Sequence, residues 1–358
     1  MMNDGVTRRL LWTMARVFTC TAVLLYGAWG GFALWYQLPF SQLSVGLVIG
    51  SWLLLSLVMG ASIARRRVPA TRTLLAVYLL TAAGLAAWWG MLAPSNDKVW
   101  ADDVARMTRG STVGNLVTLQ NVRNFDWRTE TDYTPRWETR QYDLDRLVTV
   151  DLLLSYWGSP AIAHTLVSFG FDDGEHIVFS VEIRKERHEV FSEVGGFFKQ
   201  FEMSVVAADE RDIVQVRTGA RGEDVFLYNV QMPVSGMREL FISYVQTAND
   251  LVREPRFYNT VTANCTTIVY QMTQAIVPGL PNDYRILLSG YLPDYLYKLE
   301  ALDMRYSLDD LKARAYIGER ADKAGDTPDF SRIIRAIDSG AAASADTVVS
   351  GAFGQQAP

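Results

Sequence analysis

The sequence has few cysteines and histidines, the usual zinc ligands, and no two of them are closely spaced. Only two cysteines and three histidines occur among its 358 residues. Zinc ligands usually come as short-spaced cysteine and histidine pairs, so we reject a zinc site built from His164, His176 and Cys265. No glycine-rich phosphate loop and no internal repeat occurs either. The sequence therefore predicts no metal and no cofactor.

Positive charge is also in short supply. Lysine and arginine together number 34 against 39 aspartates and glutamates, which gives a formal net charge of -5. Proteins that bind nucleic acid concentrate positive charge on one face, whereas here the two signs are interspersed along the chain. We expect no nucleic-acid partner.

Long apolar runs, by contrast, dominate the first 94 residues. Three stretches of about 20 residues contain no charge, and each is long enough to cross a bilayer as a helix: Val17–Tyr36, Leu43–Ile63 and Thr73–Leu92. None has the polar face that a soluble helical bundle would need. Aromatic residues that favour the membrane interface lie near their ends, namely Trp12, Trp35, Tyr36, Trp88 and Trp89. Residues 1–94 are therefore predicted to be a three-helix transmembrane region.

The arginines orient these predicted spans. Those before the first stretch and between the second and third are Arg8, Arg9, Arg16, Arg65, Arg66, Arg67 and Arg72. Residues 37–42, between the first two stretches, carry no charge. The positive-inside rule then places the N-terminus in the cytoplasm and everything after Pro94 on the opposite side. We expect a multi-pass protein of the bacterial inner membrane with its soluble domain in the periplasm.

This topology separates the two cysteines, so no internal disulfide is expected. Cys20 lies within the first stretch and Cys265 lies far beyond Pro94. An unpaired thiol in an oxidising compartment is a liability unless the protein uses it. The alternative is that Cys265 is a small apolar residue that packs inside a helix.

Residues 95–335 have strand patterns first and helical patterns later, which is typical of an α+β domain. The predicted strands are Leu116–Leu119, Arg146–Leu154, Thr165–Phe171, Ile177–Ile183, Ile213–Arg217 and Val225–Val230. The predicted helices are Gly236–Arg253, one that starts at Cys265, and Asp294–Leu302. Residues 336–358 are rich in alanine, serine and glycine, and we expect a disordered tail there.

Cys265 is predicted to lie in the first turn of its helix. Apolar residues follow it with helical spacing, at Ile268, Val269, Met272 and Ile276. Thr262 and Asn264 are good N-cap residues. The unpaired N–H groups of a helix start stabilise a thiolate and lower the pKa of a cysteine there.

A histidine and a carboxylate are predicted to meet on the strands upstream. The turn Asp172-Asp173-Gly174 pairs two strands so that His164 lies opposite Glu182, and the apolar residues then share the other face. An imidazole beside a carboxylate is the base and the orienting group of a nucleophile system. An exposed Glu–His pair on a sheet surface is the alternative. His176 faces Gly170 in this register, and only a longer loop would make it the third member.

Acyl transfer through a thioester also needs donors for the oxyanion. The backbone N–H of Cys265 is one, because helix starts leave such groups without an intrahelical partner. Asn259 and, in competition, Tyr258 are the predicted second donors. The alternative is that both residues only hold the loop against the helix.

Three stretches together resemble the Lnb N-terminal periplasmic domain family: Ala163-His164-Thr165, residues 181–186, and Tyr258-Asn259 through Asn264-Cys265-Thr266-Thr267. The resemblance covers roughly residues 95–335. The order of histidine and cysteine is similar to the circularly permuted papain-like arrangement of the lecithin–retinol acyltransferase group. The resemblance implies a thiol acyltransferase with Cys265 as nucleophile and His164 as base. It also implies a phospholipid acyl donor and an envelope acceptor such as a lipoprotein.

Two other functions fit the same residues. A cysteine amidase or peptidase that acts on cell-wall peptides needs the same triad, with water as the acceptor. A non-catalytic envelope module with an inert thiol needs none of it. A lipid donor requires an apolar slot, for which Phe191, Phe197, Phe198 and Phe201 are candidates, although helix-core packing explains them equally well.

Overall fold

The computed structural model describes residues 4–65 and 68–336. The chain divides into two units, of which the first contains residues 1–94 and 192–200, and the second residues 95–191 and 201–358. The predicted boundary after Pro94 thus coincides with a change of unit, but nine residues from the middle of the sequence join the N-terminal helices. The predicted tail, apart from Ala336, lies outside the described residues.

The first unit is built from three long helices, α1 Asp4–Gln37, α2 Gln42–Arg65 and α3 Val68–Met91. In the described part of the chain, these three are long and apolar enough to cross a membrane. Small residues let α1 and α2 approach closely. A Cβ atom at Gly30 would lie only 2.5 Å from Trp52 Nε1. Glycine leaves room for this indole, which donates to the Gly27 carbonyl at 2.8 Å. The three apolar helices expected from the sequence are confirmed.

The second unit is organised around one sheet. Its strands are β1 Arg109–Val113, β2 Leu116–Arg123, β3 Asp126–Trp127, β4 Tyr133–Thr134, β5 Trp137–Asp143, β6 Leu147–Tyr156, β7 Ala163–Phe171, β8 His176–Arg184, β9 Glu202–Asp209 and β10 Asp224–Asn229. The main sheet has the order β1-β2-β9-β8-β7-β6-β10, β5 also pairs with β2, and β3 and β4 form a separate ribbon. The pairs are antiparallel except β2 with β9.

Seven helices of the second unit lie in the later part of the chain: α4 Glu210–Gln215, α5 Val234–Arg253, α6 Cys265–Ile276, α7 Leu292–Lys298, α8 Leu308–Ala315, α9 Gly318–Ala324 and α10 Phe330–Arg335. One face of the sheet is covered by α5 and α6, where Phe241 and Cys265 pack with Phe169. The other face is covered by α4, α9 and α10, where Ile213 and Ile334 belong to its core. Because strands and helices are largely segregated along the chain, the α+β class is confirmed.

The hairpin of β7 and β8 has the register expected from its turn. Val167 pairs with Phe179, Phe169 with Ile177, and Gly170 with His176. Successive side chains of a strand alternate between its two faces. This register therefore puts the aromatic and branched residues against α5 and α6, and the even-numbered residues on the opposite face.

The strand predicted at Ile213–Arg217 is wrong. These residues lie in α4 and in the π-helical turn Val216–Ala220. The helix starts because the Asp209 side chain accepts a hydrogen bond from the Arg211 N–H, and buried charges fix it to the sheet. Asp212, for example, accepts two hydrogen bonds from Arg123, at 2.9 and 3.0 Å. Such tertiary pairs override the strand propensity of the isoleucine and valines.

Candidate active site

Cys265 is the first residue of α6, and a capping box holds it there. The Asn264 side-chain oxygen accepts from the N–H groups of Thr266 and Thr267, at 2.9 and 2.8 Å. In return, the Thr267 hydroxyl accepts from the Asn264 N–H at 2.9 Å. This reciprocal pair needs an Asn followed three residues later by a side chain that can reach back. The local sequence Asn-Cys-Thr-Thr therefore fixes the thiol at the helix start.

The capping box leaves one N–H group of this first turn unused. The N–H groups of Asn264, Thr266 and Thr267 are satisfied within the box, and that of Ile268 donates to the Asn264 carbonyl at 3.1 Å. Among the described residues the Cys265 N–H has no such partner. This group lies beside the sulfur, so it is placed to donate to an oxygen on a carbon bonded to that sulfur.

His164 lies in β7 and contacts two residues of β8. Its Nε2 atom is 2.7 Å from the Ser180 hydroxyl oxygen and 3.1 Å from Glu182 Oε1. The Ser180 hydroxyl itself donates to Glu182 Oε1 at 2.7 Å, so Ser180 accepts from the histidine. Nε2 therefore carries the proton of this network, and Nδ1 is the ring nitrogen left to exchange a proton with the thiol. The structure thus brings His164 and Glu182 together.

The electrostatics of the cluster favour a charged thiol and a charged imidazole. Burial lowers the pKa of His164, but the negative charges of Glu182 and Cys265 outweigh it and raise this pKa to about 9. Burial raises the pKa of the Cys265 thiol, but the positive charge of His164 and hydrogen bonds from neighbouring groups lower it overall. The pKa of Glu182, which burial alone would raise, is held well below its usual range by His164 and Arg217.

Sequence reasoning missed two members of this cluster, Ser180 and Arg217. Arg217 Nη2 donates to Glu182 Oε1 at 3.0 Å, and Nη1 donates to the Ile213 carbonyl at 3.0 Å. The position of Ser180 beside His164 could have been predicted, because Ser180 lies two residues before Glu182 on the same face of β8. Arg217 gave no such signal, because only the π-helical turn after α4 brings its side chain beneath the sheet.

The two predicted oxyanion donors lie in the loop before α6. Asn259 uses its side-chain oxygen to accept from the N–H groups of Val261 and Thr262, both at 3.0 Å. Tyr258 packs against the core that contains Cys265, and its N–H donates to the Phe201 carbonyl at 2.9 Å. These contacts favour the loop-holding alternative for Asn259. Donation by its amide nitrogen stays a prediction.

The remaining histidines lie elsewhere in the second unit. His176 is at the turn of the hairpin, where its Nδ1 is 3.0 Å from the Gly174 carbonyl. His188 is exposed and approaches Glu186 at 4.0 Å. Glu182, and not His176, is the partner of the His164 ring. Within residues 4–65 and 68–336, no group of three His, Cys, Asp or Glu side chains is arranged to hold a metal ion.

The four phenylalanines considered for one apolar slot belong to different units. Phe197 and Phe198 are in the first unit, whereas Phe191 and Phe201 are in the second. Phe201 is completely buried. Phe191 is half exposed and makes an edge contact with Trp157, with the ring centroids 6.3 Å apart. An apolar slot built from these residues stays a prediction.

The fold and the helices define a class: a membrane-anchored α+β protein in which a buried cysteine lies near a partly buried histidine and glutamate. Residues 133–290 match the family model described as the Lnb N-terminal periplasmic domain. The match includes His164, Glu182 and Cys265, and it confirms the resemblance found in the sequence. The soluble domain is accordingly a periplasmic one. No curated protein and no solved structure matches the chain.

Proposed function

We propose that the protein is a membrane-bound periplasmic thiol acyltransferase. It moves an acyl chain from a phospholipid to Cys265 and then to an envelope acceptor such as the amine of a lipoprotein. The observation that carries the proposal is the largely buried cluster in which Glu182 contacts His164 and the charge of His164 lowers the pKa of Cys265. A structural cysteine needs no such partner.

In the first half-reaction the Cys265 thiolate attacks the carbonyl carbon of the phospholipid ester. The C–S bond forms, and the carbonyl electron pair moves onto oxygen, where the Cys265 N–H donates to it. The tetrahedral intermediate then collapses and the ester C–O bond breaks. The leaving alkoxide takes the proton of the His164 imidazolium and departs as a lysophospholipid, so that an acyl thioester and a neutral imidazole remain.

In the second half-reaction the acceptor amine attacks the thioester carbonyl. His164 now works as the base and takes the proton of the amine. The C–S bond breaks, the amide is released, and the thiolate–imidazolium pair is restored. Glu182 stabilises the imidazolium and keeps the proton on Nε2 through both halves.

Two features support a lipid donor and this catalytic architecture. The three apolar helices are suited to anchor the enzyme in the membrane that contains its donor, with α1, α2 and α3 all crossing the bacterial inner membrane and the N-terminus in the cytoplasm. A strand histidine that precedes a helix-start cysteine is also the order of a circularly permuted papain-like domain, and we assign the second unit to that fold.

Mass spectrometry of the purified full-length protein tests this function. We expect Cys265 to carry an acyl chain after incubation with phospholipid vesicles, and hydroxylamine to remove it, as it does with thioesters. A Cys265→Ala variant is the control and should carry none. A peptidyl adduct on Cys265 after incubation with cell-wall peptides, without any acyl adduct, would contradict acyl transfer and indicate an amidase or peptidase.

A further inference from the structure

Residues Ser192–Gln200 form a short segment that we call the anchor segment. In sequence it connects β8, which carries Glu182, to β9, yet it belongs to the unit of the N-terminal helices. Its centre is a 3₁₀ turn at Gly195–Phe198, and Lys199 ends this turn in a left-handed conformation with φ 56°. A non-glycine residue adopts that conformation only where its surroundings hold it.

Aromatic stacking holds the inner face of the anchor segment on α1 and α3. The Phe198 ring stacks on Phe32 and on Tyr36, with centroid distances of 5.4 and 5.7 Å, and meets Trp89 edge-on at 6.4 Å. Gln37, the last residue of α1, donates to the Phe198 carbonyl at 2.8 Å. One phenylalanine of the segment is thus enclosed by the ends of two helices.

Polar contacts bind the segment to the same helix ends. Lys199 Nζ donates to the Trp89 carbonyl at 2.9 Å and lies 4.9 Å from the centroid of the Trp89 ring. The positive charge therefore lies at the C-terminus of α3, the end that the helix dipole makes favourable for it. The Tyr36 and Ser192 hydroxyls are 3.1 Å apart. Tyr36 and Trp89 are also the residue types that mark the level of the lipid headgroups.

The outer face of the anchor segment is apolar and uncovered. Val194 and Phe197 are 44% and 46% exposed. The described part of the chain leaves this fraction of each side chain uncovered. Phe32 of α1 stacks on the segment and is itself 50% exposed. An exposed apolar side chain of α1 therefore adjoins the anchor segment. A surface that continues a lipid-facing helix at headgroup level is suited to the lipid interface and not to water.

We propose that the anchor segment is a fourth membrane-bound element, whose Val194 and Phe197 side chains insert into the headgroup region of the bilayer. The occupant of this surface is lipid, and the inserted residues tie the connection between β8 and β9 to the membrane. The proposal rests on the crossing of the membrane by α1 to α3, and it does not depend on acyl transfer.

Depth-dependent fluorescence quenching tests the insertion in the full-length chain. A Phe197→Cys change in a Cys20→Ala, Cys265→Ser background provides one cysteine, which is labelled with bimane. The labelled protein is placed in phosphatidylcholine vesicles. These vesicles contain lipids with a nitroxide quencher either at the headgroup or deep in the acyl chain. Leu43→Cys and Leu54→Cys calibrate the depth. Both leucines are exposed on α2, at 77% and 62%, and 11 residues separate them by about 16 Å along the helix.

We expect the label at 197 to behave like the label at 43, with strong quenching by headgroup nitroxide and weak quenching by the deep one. The label at 54 should show the reverse. If the Phe197→Cys protein fails to fold, the same quenching is measured with a label at Val194→Cys, the second exposed side chain. Quenching at 197 and 194 by aqueous iodide alone, while 43 and 54 report their expected depths, would overturn the insertion. If 43 and 54 also respond only to iodide, the crossing itself is wrong.

Discussion

The even-numbered face of the β7–β8 hairpin carries two polar clusters of nearly the same composition. At one end His164 contacts Ser180 and Glu182, and Arg217 donates to Glu182. At the other end Ser168 donates to Glu210 at 2.6 Å, and Arg335 binds both oxygens of Glu210, each at 2.7 Å. Each cluster contains a serine, a glutamate and an arginine, but in the first an imidazole also hydrogen-bonds the glutamate.

The difference lies in how the glutamate is used. Glu210 is completely buried and its charge is matched by Arg335, which also binds Asp151 at 2.7 Å. Burial raises the pKa of Glu210, but Arg335 outweighs it and lowers the pKa to about 2. Glu182 instead divides its contacts between Arg217 and a histidine that faces a thiol. The ion pair of Glu210 with Arg335 stabilises the fold. Glu182, which is shared with His164, instead supports an imidazole whose proton can be transferred.

The largest expected effect is the loss of acyl transfer when the thiol next to the first cluster is removed. Cys265→Ser should lower acyl transfer by at least about 10⁴-fold, because the residual rate comes only from binding and oxyanion stabilisation. His164→Ala should act similarly, and the double variant should be hardly worse, since members of one catalytic unit are not additive. Steady-state transfer rates measure this. A stable and fully active Cys265→Ser protein would leave the thiol chemistry without support.

Removing either arginine sharpens the comparison. Arg335→Met leaves Glu210 buried without its partner and should cost about 3–5 kcal/mol of unfolding free energy, measured by denaturant unfolding, with no change in the pH profile of the enzyme. Arg217→Met should in addition move the alkaline limb of that profile to higher pH, because Glu182 Oε1 loses a competing positive charge and stabilises the His164 imidazolium more strongly. Identical pH profiles for both variants would show that Arg217 is only structural.

The second cluster should also contribute to acid unfolding. The folded pKa of Glu210 is depressed, so its contribution to stability is fully present above its ordinary value of 4.5 and is lost as the pH falls towards about 2. We expect Arg335→Met to weaken this dependence and to unfold at higher pH than the wild type. Unfolding midpoints measured by circular dichroism between pH 6 and pH 2 test it, and parallel curves for the two proteins would contradict it.

A partial loss is expected for Glu182→Gln. The amide keeps a hydrogen bond to the ring but removes the charge that stabilises the imidazolium. The pKa of His164, raised to about 9 in the wild type, should fall towards its ordinary value of about 6.5. The alkaline limb of activity should therefore move to lower pH, because the imidazolium that protonates the leaving group is lost earlier. An unchanged limb with reduced activity would remove Glu182 from this role.

The smallest effect is expected at Asn259, where two substitutions separate its two candidate roles. Asn259→Asp keeps the oxygen that caps the loop but removes the amide donor, and we expect turnover close to that of the wild type. Asn259→Ala removes both and should slow alkylation and turnover together. A loss of about a hundredfold in turnover with Asn259→Asp alone would restore the oxyanion role, provided that Cys265 still reacts normally with a small alkylating agent.

Local patterns predicted one part of the site. The turn at residues 172–174 and the alternation of apolar residues set the hairpin register, and this register places His164 near Glu182. The run Asn264-Cys265-Thr266-Thr267 contains its own cap and places the thiol at a helix start. These inferences succeed because each depends on residues close together in sequence.

Long-range pairs explain what the sequence did not reveal. Glu210, Asp212 and Arg217 are charged residues typical of a solvated turn, but each is buried against a partner from a distant element. Strand β9 lies in the middle of the sheet and was not predicted, and the anchor segment joins helices more than 100 residues earlier in the chain. Sequence periodicity contains no information about such partners.

The pH dependence of Cys265 alkylation tests most directly whether Cys265 and His164 form a thiolate–imidazolium pair. Iodoacetamide should react with the full-length protein well below pH 8.5, the ordinary pKa of a thiol, and a second change near pH 9 should mark the loss of the His164 proton. His164→Ala should abolish both features. A single titration at or above pH 8.5 that is the same in wild type and His164→Ala would contradict the pair.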